Sequence, residues 1–441
     1  MKRYLENFKG GNLKARLLQG LAGTAFLKVI NIFLALVSSI LLARVLGPEN
    51  YGIYSFAISI ITLLSLPTNA GLPTLIVRET TKYQLQGNWG LFRGLLALAN
   101  VFVISFSIFI AIVSAIIAWW VWGDEQSLKY ITFLWALLLL PFIAFAKLRS
   151  STLLGLRKVI RAQLPEELVQ PMVMIVLLLL CIFLGSELTP FKVVQYNVFA
   201  AFIAFFVGAL LLKWTIPKQV KVANKEYRVK AWVSSLIPLS LIVGVQAINK
   251  QVGIVTLGMF GSATDVALYK IASTAVGLST IGLMITNPVL GPYITRLAKQ
   301  NKREQLQKIF IVSARVSFLI TVLILSVFVF FGERILSLLF GDEYIGANPA
   351  LLILCIGQLG NVLVGSVGLI LKQLSFEKLV LRSVTFSMIV NVMLCYLLVP
   401  TYGANGAAVA MTASFLLWNA ANWWQLFNVT GYDSSIFGFK K

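Results

Sequence analysis

Apolar residues run in long blocks along this chain and do not alternate with polar ones. The blocks are about 20 residues long, recur from Leu21 to Phe427, and are rich in Leu, Ile, Val and Ala. A helix of roughly 20 apolar residues spans the ~30 Å hydrocarbon core of a bilayer. Backbone polar groups find no water there, so a spanning segment is either a helix or a strand of a closed barrel. Barrel strands alternate over short segments, whereas these runs are continuous, so the pattern predicts helices. The spans fall at 21–43, 51–72, 94–121, 130–146, 168–186, 193–212, 236–259, 266–288, 309–331, 346–371, 379–399 and 404–427. The expected fold is an all-α polytopic membrane protein of about twelve transmembrane helices.

Charge sets the orientation. An even number of spans puts both termini on one side. Taking that side as cytoplasmic gathers 29 of the 37 basic residues in cytoplasmic segments. They include Lys2, Arg3, Lys9, Lys14 and Arg16 at the start, six between Lys213 and Lys230, and Lys440 and Lys441 at the end. The opposite side receives only Arg44, Lys129, Lys192 and Arg334. A helix missed or invented in mid-chain would move every later loop across the membrane and destroy this asymmetry. Trp119, Trp120 and Trp122 fall at the outer interface, where aromatic belts sit. The first apolar run is too long for a signal peptide and lacks a small-residue cleavage site, so it reads as a retained helix. The expected location is the bacterial cytoplasmic (cell inner) membrane, multi-pass, with both termini cytoplasmic.

Composition removes several functions. The net charge of +21 would suggest nucleic acid in a soluble protein, but here it lies in loops and topology accounts for it, so no nucleic-acid partner is expected. The chain has no histidine, the commonest general base. Cys181, Cys355 and Cys395 are odd in number, lie inside apolar runs and lack metal-ligand spacing. No disulfide, metal, cofactor or catalytic residue is expected.

The longest basic loop, 213–235, separates a bundle at 1–212 from a bundle at 236–441. The halves echo each other. Leu46-Gly47-Pro48-Glu49-Asn50-Tyr51 leads into helix 2 and Phe260-Gly261-Ser262-Ala263-Thr264-Asp265 into helix 8, each followed by a Tyr-x-x-Ala at a helix start. Two six-helix halves of one orientation form a parallel repeat about an axis along the membrane normal. Four segments, "ARVLGPENYGIYSFA", "DVALYKIA", "LFGDEYIGANPALLIL" and "YGANGAAVA", resemble the polysaccharide-transporter branch of the multidrug/oligosaccharidyl-lipid/polysaccharide (MOP) superfamily, in order and over essentially the whole chain. The resemblance implies two six-helix bundles around a central cavity. It also implies flipping of an undecaprenyl-pyrophosphate-linked oligosaccharide, such as an O-antigen repeat unit or related surface glycan, with membrane lipid and a glycan polymerase as candidate partners. Members often carry an acid within helix 7, where this chain has Asn249-Lys250-Gln251.

Polar residues at spacings of three and four line one face of several spans. Ser and Thr there ordinarily serve helix packing. Charges are different, since a cation near mid-bilayer costs roughly 3 kcal/mol unless snorkelling or water relieves it. Lys28, Lys250, Lys270 and Arg315 fall within spans or at their ends, while no acid falls inside a span, leaving Glu49 and Asp265 at the outer turns as the available coupling carboxylates. Unpaired cations suit an anion, and a pyrophosphate diester brings about two negative charges. The expected diphosphate ligands are therefore Lys28, Lys250, Lys270 and Arg315. Asn31, Gln246, Asn249, Gln358, Asn361 and Asn391 would line the path of the glycan. A cation-coupled multidrug exporter would want buried carboxylates, which the spans lack. A membrane-embedded glycan polymerase or ligase would want acid–base groups on longer outer loops. The basic, amphipathic stretch from Arg149 to Gln170, interrupted by Pro165, reads as a cytoplasmic connector.

Overall fold

The computed structural model describes residues 12–69, 71–122 and 127–438, and among these every regular element is helical. Lys2, Arg3, Lys9, Lys440 and Lys441 lie outside the described residues. The chain opens with α1 (12–46) and α2 (48–69), joined at Gly47. Gly47 sits at φ 69°, ψ 171°, a region closed to most side chains, and Pro48 then starts α2 with its φ already helical. The amphipathic α3 (Leu72–Gln86) follows, then α4 (Trp89–Trp122). The next crossings are α5 (Leu128–Leu137) with α6 (Leu139–Gly155), and α7 (Val159–Leu164) with α8 (Gln170–Phe183). The first bundle closes with α9 (Pro190–Thr215), and the short α10 (Lys218–Val222) leads to the second.

That second bundle holds α11 (Val229–Phe260), α12 (Ala263–Gly277) running on into α13 (Ile281–Lys299), and α14 (Arg303–Phe340). It is completed by α15 (Asn348–Leu363) with α16 (Val367–Gln373), and by α17 (377–402) and α18 (404–430), which meet at Gly403. Nine stretches among the described residues are long and apolar enough to cross a membrane. Two of them contain a helix pair, α1–α2 and α17–α18, and the 32-residue α11 adds one more, which gives twelve crossings. The all-α polytopic expectation holds. Several helices overrun the predicted spans, at the basic end in α4, α11 and α13 and at both ends in α14. The 38 residues of α14 extend roughly 57 Å, well beyond a bilayer core.

The segment 213–235, read from sequence as the divider, lies against the first bundle. Arg93 donates to the Ala223 carbonyl at 2.8 Å, and the Glu226 N–H donates to Gly90 at 3.1 Å. Trp232 donates to the Tyr83 hydroxyl at 2.9 Å. Gly94 permits this approach, because a Cβ there would overlap the Glu226 backbone. Trp232 and Val220 share a core with α3 and α4.

The bundles meet at the end opposite the basic loops. A continuous apolar core joins Leu42, Leu46, Tyr51 and Phe56 of α1–α2 to Leu257, Val266, Ala267 and Ile271 of α11–α12. Its tightest points are glycines. A Cβ on Gly52 would overlap the Ala263 carbonyl, and one on Gly258 would overlap the Phe56 ring. Polar contacts seal the rim. Tyr344 donates to the Ala43 carbonyl at 2.9 Å, and Arg44 donates to Leu339 at 2.8 Å and to the Leu338 carbonyl. Asp265 accepts from Ser262 in a capping box and from the Ala404 N–H at 3.2 Å, which fixes the start of α18. Its carboxylate is thus tied into helix starts.

A second structural device repairs a broken helix. Between α15 and α16 the turn at Val364-Gly365-Ser366 leaves carbonyls without helical partners. The segment after α18 fills them, with the Ile436 N–H donating to Leu363 at 3.0 Å and the Ser434 hydroxyl to Val364 at 2.7 Å. Asp433, Ser434 and Ser435 are buried.

Gly52→Leu forces a side chain into a backbone carbonyl that cannot swing aside. It should part the bundles at this end. In a background lacking Cys181, Cys355 and Cys395, a cysteine placed at Ser39 (8% exposed) should then react several-fold faster with an impermeant maleimide. Unchanged reactivity would show that the glycine contact does not hold this end shut.

Candidate functional site

A cavity of about 570 Å³ opens inside the first bundle, toward its basic half. Its walls are α2, α3, α6, the α7–α8 junction and α9, and among the described residues Gly244 of α11 joins them from the second bundle. The α7–α8 junction carries its charge. Pro165 has no N–H to give the preceding turn, and the helix widens into a π turn over Pro165–Val169, closed by Gln170 N–H to the Pro165 carbonyl. The wider turn brings both Glu166 and Glu167 to the cavity wall, with Lys147, Gln163 and Gln170 beside them.

This corrects two readings of the sequence. Of residues 149–170 only 156–158 form a connector, since 149–155 end α6 and 159–170 open the apolar stretch Val159–Phe183. Nor are the spans free of acid, since Glu166 and Glu167 lie in that crossing. The Pro-Glu-Glu after an amphipathic turn was the available signal, hidden because the apolar run proper begins only after it.

Arg149 of α6, only 5% exposed, forms an ion pair with Glu166 and donates to the Ala204 carbonyl at 3.2 Å. The guanidinium lies flat on α9 because position 208 is glycine, where a Cβ would overlap it. Glu167 is held from α1. Asn31 donates to its carbonyl at 3.0 Å, and the Lys28 ammonium lies within electrostatic reach of its carboxylate. From the cavity wall a polar line continues deeper, with Gln170 donating to Asn197 at 3.2 Å and Asn197 to the Tyr54 hydroxyl at 3.2 Å. Three cations (Lys28, Lys147 and Arg149) thus surround two carboxylates.

The residues singled out from sequence are dispersed. Lys28 and Asn31 stand at the cavity's α1 edge. Lys250 is exposed on α11, and Lys270 is half-buried on α12 near the closed end. Arg315, exposed on α14, donates to the Ile436 carbonyl at 3.0 Å and so engages the segment after α18. Counting helical rise from the ends of α12 and α14, Arg315 lies roughly 25 Å deeper than Lys270, so one diphosphate does not span the set.

The amides divide as well. Asn391, fully buried, donates to Asn249 Oδ1 at 2.7 Å, and Asn249 donates to Ser414 at 3.1 Å. Gln358, 3% exposed, accepts from Asn361 at 3.0 Å, which accepts in turn from Asn419 at 3.0 Å. These four amides knit α11, α15, α17 and α18 together, as interhelical polar groups do in a bilayer. Gln246 is half-buried on α11.

Two six-crossing bundles, packed together at one end and with a charged cavity in the first toward the other, define the class: a multi-pass all-α membrane protein. The polysaccharide biosynthesis protein family matches residues 17–298, well over half of the chain, and the chain belongs to that family. The MatE family also matches, over residues 238–397. A probable low-salt glycan biosynthesis flippase, Agl15 of Haloferax volcanii, is 23% identical over 36% of this chain, and that match covers about a third (34%) of the relative's length. The fold is that of solved MOP-superfamily proteins. An inward-facing multidrug resistance MATE transporter superposes with TM-score 0.75 at 14% identity, over 91% of this chain and 95% of that one. The lipid II flippase MurJ, in an inward closed conformation, gives TM-score 0.69 at 15% identity, over 94% and 88%. The resemblance read from the motifs therefore holds.

Arg149→Ala leaves Glu166 facing the cavity without its partner. We expect a loss of about 2–3 kcal/mol, below the full cost of breaking a buried pair because Glu166 keeps 28% exposure. Arg149→Met with Glu166→Leu should cost clearly less than Arg149→Ala alone. Thermal melting of the purified protein reads both, and a double variant as unstable as the single would refute the pairing argument.

Proposed function

We propose that this protein flips a lipid-linked, anionic glycan precursor from the cytoplasmic to the outer leaflet by alternating access. The observation that carries this is the cavity in the first bundle, open toward the basic end while the opposite end is sealed. On its wall Lys147 stands with Glu166 and Glu167; Arg149, paired with Glu166, and Lys28, within reach of Glu167, lie behind that wall and offset the two carboxylates, which leaves Lys147 to meet an anion. The substrate class is a polyprenyl-pyrophosphate oligosaccharide, such as an undecaprenyl-pyrophosphate-linked repeat unit of O-antigen or a related surface glycan. Lys147 and then Lys28 engage the diphosphate, as compact charges able to follow it. Lys250 and Lys270 form a second cationic step nearer the sealed end, met when the bundles rock. The prenyl tail stays in lipid. Asn31, Gln246 and the outer amides of the cavity meet sugar hydroxyls, and no bond is made or broken.

The basic loops face the cytoplasm, in keeping with the positive-inside rule. The membrane potential then supplies direction. Moving a dianion outward at about 100 mV releases roughly 4–5 kcal/mol, at about 2.3 per charge.

A second reading is favoured by one feature. Glu166 and Glu167, both half-buried on the cavity wall, supply the kind of carboxylate that a cation-coupled multidrug exporter requires. Their pairing with Arg149 and Lys28 is what weighs against it.

Proteoliposomes loaded with a short-chain prenyl-pyrophosphate oligosaccharide separate the two. Wild type should flip it, and Lys28→Ala and Lys147→Ala should each slow flipping about tenfold, the loss of one charge-assisted contact. Arg315→Ala should leave flipping unchanged. Wild type that expels cationic dyes and flips nothing would establish the exporter instead.

A further inference from the structure

A second recess lies outside the bundle, at the basic end, between α4, α9 and α10. It is an open groove of about 480 Å³. Its floor is apolar, formed by residues such as Leu212 and Ile216, and its rim carries four cations: Arg93, Lys213, Lys221 and Lys225. Arg93 is anchored on the Ala223 carbonyl at 2.8 Å and Lys221 on the Lys213 carbonyl at 3.3 Å. Their partners are neutral backbone oxygens, so the positive charge is uncompensated. The single acid between residues 213 and 230 is Glu226, which lies against Gly90 and does not line the groove. Beside the groove, Trp214 is 71% exposed and Val222 is 82% exposed, the placement of side chains that sit at a membrane interface.

Each property points to one kind of occupant. Floor and rim together form an amphiphilic slot, with apolar walls on the membrane side and cations at headgroup level. Free phosphate would use the rim but not the floor, and a hydrocarbon the reverse. We infer that the α4–α9–α10 groove is a binding site for an anionic phospholipid of the basic-side leaflet, with its phosphate held by Lys213, Lys221 and Lys225 and one acyl chain in the groove. This site is separate from the first-bundle cavity and does not depend on what that cavity carries. Because α10 belongs to the segment that joins the bundles, a lipid seated there clamps this segment onto the first bundle.

Native mass spectrometry of the purified full chain tests it, with dioleoyl phosphatidylglycerol and dioleoyl phosphatidylcholine as probes. Wild type should retain the anionic lipid at least about tenfold better, and K213Q/K221Q/K225Q should lose that preference. These three side chains are exposed, so the variant should fold. K158Q/K302Q/K378Q, with the same charge change elsewhere at the basic end, should keep the preference. Millimolar glycerol phosphate should not displace the lipid. The inference fails if wild type shows no preference, if the first triple variant binds like wild type, if the control loses as much, or if glycerol phosphate competes.

Discussion

The two bundles are joined at one broad, closely packed contact. Gly52 lies directly on the Ala263 carbonyl and Gly258 on the Phe56 ring, so the helix ends converge with no side chain between the backbones at the first point and a single ring at the second. In a bilayer, where apolar surface gains little by leaving lipid for protein, such close approach and the dispersion it permits are the main source of helix association. The contact is wide, continuing through Leu46, Tyr51, Leu257 and Val266, and is fastened at its edge by Tyr344 and Arg44. Sealing one end so firmly lets the other stay open. The cavity walled by α2, α3, α6 and α9 lies toward that other end.

The polar groups share a pattern: three interruptions of a helix are met by a donor or an acceptor from elsewhere in the chain. The π turn at Pro165 is met by Arg149 and Asn31. The start of α18 is met by Asp265, and the break after Leu363 by Ser434 and Ile436. Function and stability diverge at this point. Where the partner fully satisfies the group, as with Asn249 and Asn391, the result is glue. Where charged groups line a cavity, as Lys147 and Glu167 do, the face is left open to solvent or a ligand.

The sequence was informative about the fold because hydrophobic run length is a direct measure of membrane thickness. The twelve crossings, the even topology and the break at Gly47-Pro48 were all legible. The site was less so, for a physical reason. A polar residue on a helix face says that the face avoids lipid, but not whether another helix or water covers it. Asn391 and Gln246 look alike in the sequence, yet Asn391 is wholly buried against Asn249 while Gln246 is only half-buried. Glu166 and Glu167 were overlooked because a widened helical turn carried them past the point where the apolar run appears to start. Arg315 seemed free because its partner, the Ile436 carbonyl, is backbone and lies 121 residues away.

That remote pairing has a consequence for biosynthesis. The hydroxyl that completes the Val364 carbonyl lies 70 residues further along the chain, beyond two whole transmembrane helices. When the broken tenth crossing enters the membrane, its exposed carbonyls have no protein partner, and they acquire one only after α17 and α18 have inserted and the following segment has folded back between α14 and α15. The second bundle therefore cannot mature helix by helix. Its tenth crossing has to wait, hydrated or held by the insertion machinery, for a strand of chain that has not yet been made. The buried Asp433-Ser434-Ser435 turn thus closes, from the far side of α17 and α18, the carbonyls that the break after α15 leaves open.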